Sequence, residues 1–182
     1  MTTEQLRHRM SPILKALKER SLRGRTPVEG LRRTECAYHG WDTVHADAAS
    51  WEPFAPGDAF GGLEAHHCFK GTVTLPEASA GKRVVCLVST GASDIWNNNN
   101  PQFLAYVDGR LVCGLDVNHN EFDLAACAVP GESHELALYV YCNTPARDVF
   151  LRVETAERDD DVTGLYYDLR APYEAVSYTH LR

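Results

Sequence analysis

The side chains most able to do chemistry in these 182 residues are eight histidines, six cysteines, three tryptophans and 25 acids. His66 and His67 are adjacent, and neighbours on a strand point to opposite faces, so one metal ion cannot draw on both. His119 stands in the polar tract DVNHNE that begins at Asp116, a context suited to a hydrogen-bonded turn residue more than to a ligand. The strand H-x-H element of a jelly-roll metalloenzyme is absent, so no metal ligand is expected. Neither G-x-S-x-G, a P-loop nor G-x-G-x-x-G occurs. Catalytic carboxylate pairs stay open, because sequence does not fix their separation.

Cys36, Cys68, Cys86, Cys113, Cys127 and Cys142 form no C-x-x-C pair. Cys86, Cys113 and Cys127 sit in apolar runs as small hydrophobes. Reduced, structural thiols in a cytoplasmic protein are expected. The aromatic and amide residues are more suggestive. Trp41, Trp51 and Trp96 lie in polar, turn-like surroundings, and Trp96 precedes four asparagines, Asn97 to Asn100, then Pro101 and Gln102. Flat rings beside amides and carboxylates suit a sugar, whose C–H face packs on the ring while polar groups hold its hydroxyls. The plainer reading has the tryptophans capping a sandwich and the asparagines forming a loop. Trp96, Asn100, Gln102, Asp116, Asn118 and His119, in loops around one hairpin, are the candidates for a substrate-side or interface surface. No catalytic residue is assigned.

Strands must position them. Gln102 to Val107 and Arg110 to Leu115 flank Asp108-Gly109, the strongest short hairpin signal, since a type I′ turn needs positive φ at both central residues. His67 to Leu75 alternates, with Phe69, Val73 and Leu75 on one face and Lys70, Thr72 and Thr74 on the other. Lys82 to Thr90 suits a strand buried on both sides. Glu121 to Ala126, His134 to Cys142 and Val149 to Glu154 add three more. Short strands without intervening helices predict an all-β, antiparallel β-sandwich or jelly roll. Residues 2–20 carry Leu6, Met10, Ile13, Leu14 and Leu17 at helical spacing, an N-terminal amphipathic helix; Pro12 either kinks it or starts a second one after Ser11. The basic stretch from Arg20 to Arg33, with Gly24, Pro27 and Gly30, reads as a loop or linker. Arg158 to Asp161 is a charged break, and Gly164 to Val176 is helical or extended.

The formal charge of −7 argues against nucleic acid or an anionic membrane as the partner. No apolar run approaches the roughly 20 residues of a membrane span, and MTTEQLRHRM is unlike a signal peptide. A cytoplasmic location is therefore expected.

Three blocks, PGDAFGGLEAHHCFKGTVTLP (Pro56 to Pro76), NPQFLAYVDGRLVCGLDVNHNE (Asn100 to Glu121) and LYYDLRAPYEA (Leu165 to Ala175), occur in an order that resembles the N-terminal β-sandwich domain of family 38 α-mannosidases of the cytosolic and vacuolar type. The resemblance spans most of residues 36–174. It departs at Phe60, Cys68 and Lys70, where the family usually carries Trp, Trp and Arg. It implies a parent enzyme that removes α-linked mannose with retention, using zinc held by two Asp and two His, one Asp also acting as nucleophile, and a second acid as general acid and base. Those residues belong to a catalytic domain beyond the resembling blocks, and its opening H-x-D motif is expected to be absent from this chain. None is carried over here, and no cofactor is expected in this chain.

The resulting organisation is a helix and linker over 1–34, the sandwich over 35–160, a segment over 161–176 leading to the catalytic domain, and a non-native tail over 177–182. That tail, SYTHLR, resembles a translated sequencing adapter, so the chain reads as a fragment. Leu165, Tyr166, Tyr167 and Leu169, with the N-terminal helix, carry more apolar face than a lone sandwich needs, which points to an interface with the enzyme's own catalytic domain or a homo-oligomer. A mannose-containing oligosaccharide is the implied ligand, and a free-standing carbohydrate-binding module is the alternative function.

Overall fold

The computed structural model describes residues 3–91, 101–146 and 148–179. Its elements are α1 (Thr3–Arg20), β1 (Leu22–Pro27), β2 (Arg32–Cys36), a 3-10 turn (Gly40–His45), β3 (Glu52–Pro53), β4 (Ala59–Phe60), β5 (Ala65–Thr74), β6 (Arg83–Ser89), β7 (Gln102–Val107), β8 (Arg110–Leu115), β9 (Glu121–Ala125), β10 (Ser133–Cys142), β11 (Val149–Phe150), β12 (Arg152–Arg158) and α2 (Asp160–Thr179). Among the described residues the strands form sheets ordered β1-β12-β6-β9 and β3-β2-β5-β10-β7-β8, with a small β11-β4 pair. This is the expected antiparallel β-sandwich with an N-terminal helix. No described helix is long and apolar enough to cross a membrane.

The chain divides into two compact units, Thr26–Thr155 and the joined ends Met1–Arg25 and Ala156–Arg182. In the larger unit the strand period of two sorts side chains to opposite faces. Leu136, Leu138, Val140 and Cys142 of β10 turn inward and join Phe69, Phe103 and Ala105, together with Val84, Cys86 and Val88 of β6 and Phe122 and Leu124 of β9, in one buried core. Val85 and Leu87 are buried as well, so β6 is covered on both faces as its apolar run predicts. Phe60 is core: its ring meets Phe69 and Phe54 edge-on at 5.1 and 6.3 Å.

The hairpin falls where the sequence puts it. Asp108 and Gly109 have φ of 50° and 72°. Asp108 also ties the turn to β10, its two carboxylate oxygens accepting from the Glu135 N–H and from His134 Nδ1, each at 2.9 Å.

The outer face of the six-stranded sheet differs from a simple polar face. The 3-10 turn and the residues after it cover part of it, so Val44 and Trp51 bury Cys68, Tyr106, Ala137 and Tyr139 in a second apolar cluster. Trp51 is thus a core residue and not a surface ring. Lys70, expected on an open face, is buried for the same reason; its Nζ donates to the Ala46 carbonyl at 2.9 Å and pairs with Glu135 at 3.1 Å.

The smaller unit pairs α1 with α2. α1 runs through Pro12 as one helix. The charged break proves to be a helix start: Asp159 Oδ1 accepts the Val162 N–H at 3.1 Å, an N-cap, and Asp160 and Asp161 fill the first turn where the helix dipole favours acids. Within the unit, Arg23 pairs with Asp159 at 2.9 Å. The stretch read as a linker instead supplies β1 and β2. The arginines of β1 face solvent, its pattern being almost wholly exposed, whereas Arg32 and Arg33 of β2 are half-buried, Arg32 donating to the Trp51 carbonyl at 2.8 Å and Arg33 pairing with Glu52 at 2.9 Å; polarity without alternation conceals such strands.

Candidate functional site

Beside the cover of the 3-10 turn, at the β7–β8 end of the sheet, lies a cleft of about 340 Å3 lined by Gln102, Phe103, Leu104, Gly114, Leu115, Asp116, His119, Tyr139 and Tyr141. Strand register builds its floor. Tyr139 of β10 lies opposite Leu104 of β7, which lies opposite Gly114 of β8; Tyr141 lies opposite Gln102. A glycine within a strand leaves a gap in the side-chain layer, and Gly114 does so here.

The rim comes from the tract after β8. Asp116 Oδ1 accepts the backbone N–H groups of Asn118 and His119, both at 2.7 Å, and the Asp116 N–H returns to the His119 carbonyl at 2.9 Å. These N–H groups, first that of His119, hold the Asp116 carboxyl below the usual carboxylate range. Asp116 thereby shapes the turn with one oxygen, while the His119 side chain stays largely in solvent, 83% exposed.

Aromatic groups extend the site away from the loop. The Tyr139 hydroxyl pairs with His66 Nδ1 at 2.8 Å, and the Tyr141 hydroxyl donates to Glu64 at 3.0 Å. Burial lowers the His66 pKa and raises that of Tyr139, whereas the Glu64 hydrogen bond raises Tyr141. Trp41 meets Tyr139 edge-on at 6.3 Å and is 41% exposed; Tyr38, near His66 at 5.5 Å, is 71% exposed.

Of the sequence candidates, Gln102, Asp116 and His119 therefore line one cleft, and Asn118 belongs to its rim turn. Trp96 and Asn100 lie outside the described residues. Tyr139, Tyr141, Leu104 and Gly114 were not singled out from sequence. The i, i+2 spacing of the two tyrosines in LYVYC was the available signal, since it sets both on one strand face. A second groove, of about 560 Å3 between Leu31, Phe54 and Phe150, is mainly apolar in lining.

The arrangement suits binding: an aromatic and aliphatic floor with an amide, a carboxylate and an imidazole on one side. It does not gather metal donors. Among the described residues no group of three or more His, Cys, Asp or Glu is placed to hold an ion. Contrary to the expected absence of H-x-D, one such spacing does occur, His45-Ala46-Asp47. The His45 ring abuts Tyr106 at 6.0 Å, and Asp47 Oδ1 accepts the Ala49 N–H at 3.0 Å.

No protein-family model matches the chain, and no curated protein matches it. Solved structures share its fold. A β-glucuronidase from Bacteroides uniformis matches with a TM-score of 0.54 and 11% identity, over 74% of this chain and 18% of that one. The β-glucuronidase from Ruminococcus gnavus in complex with D-glucuronic acid matches with a TM-score of 0.54 and 9% identity, over 75% of this chain and 30% of that one. At these identities the likeness is one of fold. The chain spans less than a third of the length of either protein.

Proposed function

We propose that this chain is the N-terminal accessory β-sandwich of a glycoside hydrolase. The observation that carries the reading is its fold, shared with a part of much longer β-glucuronidase chains. The finer assignment, to a family 38 α-mannosidase, rests on the ordered sequence blocks alone. In that assignment the parent enzyme is cytoplasmic and hydrolyses α-linked mannose with retention. Zinc would serve there by gripping sugar hydroxyls, held by ligands of the catalytic domain. The residues of this chain do not fit such a site, and no catalytic step is assigned to them. Their part is to pack against the catalytic domain, their main partner, and to offer the Tyr139–Tyr141 cleft to a mannose-containing oligosaccharide. The exposed Leu165 and Tyr167, 49% and 52% accessible, are available for the packing or for self-association.

Reading the source frame onward from Glu174 tests this. An H-x-D motif followed by a long α/β region is expected. A β-glucuronidase-type catalytic region would keep the accessory reading and overturn the mannosidase; a stop codon near Ala175 would overturn both. A free-standing carbohydrate-binding module is then the better reading, favoured by the cleft itself. It predicts that calorimetric titration of the chain with mannose oligosaccharides gives saturable heat, lost in Tyr141→Ala.

A further inference from the structure

We propose that Cys36 and Cys68 are a redox couple, closing to a reversible disulfide when the protein meets a hydroperoxide. Their sulfurs stand 3.6 Å apart on neighbouring strands of the six-stranded sheet. In the β2–β5 register Cys36 opposes His66 and Thr34 opposes Cys68, so the two thiols are diagonal neighbours on one face. A disulfide needs the sulfurs at about 2.05 Å and adjustment of the two Cα positions. The adjustment is available because Cys36 is the last residue of β2. β3 pairs only with Arg32 and Arg33, so among the described residues the end of β2 is hydrogen-bonded to β5 alone.

The two thiols are unequal, which fixes the order of events. Cys36 is partly exposed, and Cys68 is 0% exposed beneath Trp51, Tyr106 and Tyr139. A hydrogen bond from the Cys68 thiol lowers the Cys36 pKa and makes it the better thiolate, while Cys68 is raised by that same bond and by burial. Burial also raises Cys86 to about 12 and Cys142 to about 11, keeping them as inert thiols.

The chemistry balances with hydrogen peroxide as oxidant. Cys36 gives its proton to water, and its thiolate sulfur attacks one peroxide oxygen. The O–O bond breaks, hydroxide leaves and is protonated to water, and Cys36 becomes a sulfenic acid. Cys68 sulfur then attacks Cys36 sulfur, the S–O bond breaks, and the departing hydroxide takes the Cys68 proton as a second water. Two thiols are oxidised to one disulfide, and one peroxide is reduced. A dithiol such as dithiothreitol reverses the step by exchange. The cross-link fixes the start of the segment that carries Tyr38 and Trp41 to the sheet beside Tyr139.

The reduced 182-residue chain should be treated with one equivalent of hydrogen peroxide, alkylated with N-ethylmaleimide, digested and analysed by mass spectrometry. Expected is loss of one pair of maleimide adducts, a single linked peptide joining Cys36 to Cys68, and full return of the adducts after dithiothreitol. Cys36→Ser should abolish the linked peptide and Cys127→Ser should keep it, with circular dichroism checking that both fold. Cys36 recovered as sulfinic acid beside an alkylated Cys68 would overturn the proposal. So would a link from either cysteine to another thiol, or links only between molecules.

Discussion

Gly114 and Gly71 offer a paired test of how the sheet is filled. Neither has a positive φ, so neither needs glycine for its backbone. A Cβ added at Gly114 meets only the Phe103 carbonyl at 3.8 Å, ordinary contact, on the open floor of the cleft. Gly114→Ala should therefore stabilise, by about 0.4–1 kcal/mol, through the reduced entropy of the unfolded chain. At Gly71 the same methyl comes within 2.7 Å of Leu31 Cδ2. Leu31 is 6% exposed and part of the core, so it cannot swing into solvent. Overpacking of this kind costs about 1–3 kcal/mol, which outweighs the same entropic gain and leaves a net loss of about 1–2 kcal/mol. With a urea slope of about 1–3 kcal/mol per molar, the Gly114→Ala midpoint should rise by a few tenths molar and that of Gly71→Ala should fall by about twice as much. The cleft variant has a second readout, since its methyl occupies space a bound sugar would need. A Gly114→Ala midpoint below that of the parent, or a Gly71→Ala midpoint above it, would refute the account of both positions.

Tyr139→Phe removes the partner of buried His66 Nδ1 and should cost about 1–3 kcal/mol, whereas Tyr141→Phe, whose Glu64 partner is exposed, should cost less than about 1 kcal/mol by urea unfolding. Equal costs would show that His66 is rescued by water. Asp108 is held below the usual carboxylate range first by its hydrogen bond with His134 and then by the Glu135 N–H. A depressed folded pKa means that its stabilisation is complete above the unfolded value of about 3.9 and is lost as pH falls from there through the lower folded value. Asp108→Asn keeps a turn-compatible residue before Gly109, so it should fold and show a flatter stability profile below about pH 4. Parallel profiles for parent and variant would remove Asp108 from the acid response.

What could be read from the sequence was what local physics decides. The hairpin over Gln102 to Leu115 emerges with its bounds intact because Asp108-Gly109 constrains φ and two apolar runs set the register. β1 and β2 escape a sequence reading because their arginines break any apolar alternation and their partners lie far along the chain; Val28, just after β1, hydrogen-bonds to Val153. Trp51 and Lys70 were misplaced together, since no local pattern says that residues after the 3-10 turn will cover an outer sheet face. The cleft was half legible. Polar residues in a loop announce Asp116 and His119, and Gln102 follows the asparagine run at the start of β7, but a glycine in a strand and two tyrosines in an apolar run resemble ordinary sheet. That they line one cleft depends on a pairing between β8, β7 and β10 that only the fold supplies.

The place of β10 between β5 and β7 sets a clock on biosynthesis. β2 and β5 can pair, and the β7–β8 hairpin can close, but the two halves of the six-stranded sheet meet only through β10. A ribosome adds about 5–20 residues per second, so the interval from Leu115 to Cys142 is roughly one to five seconds. During it Phe69, Phe103 and Ala105 have no Leu138 or Val140 to cover them, and β5 offers an unpaired edge. Nascent chains stalled between those points should be the ones that chaperones hold.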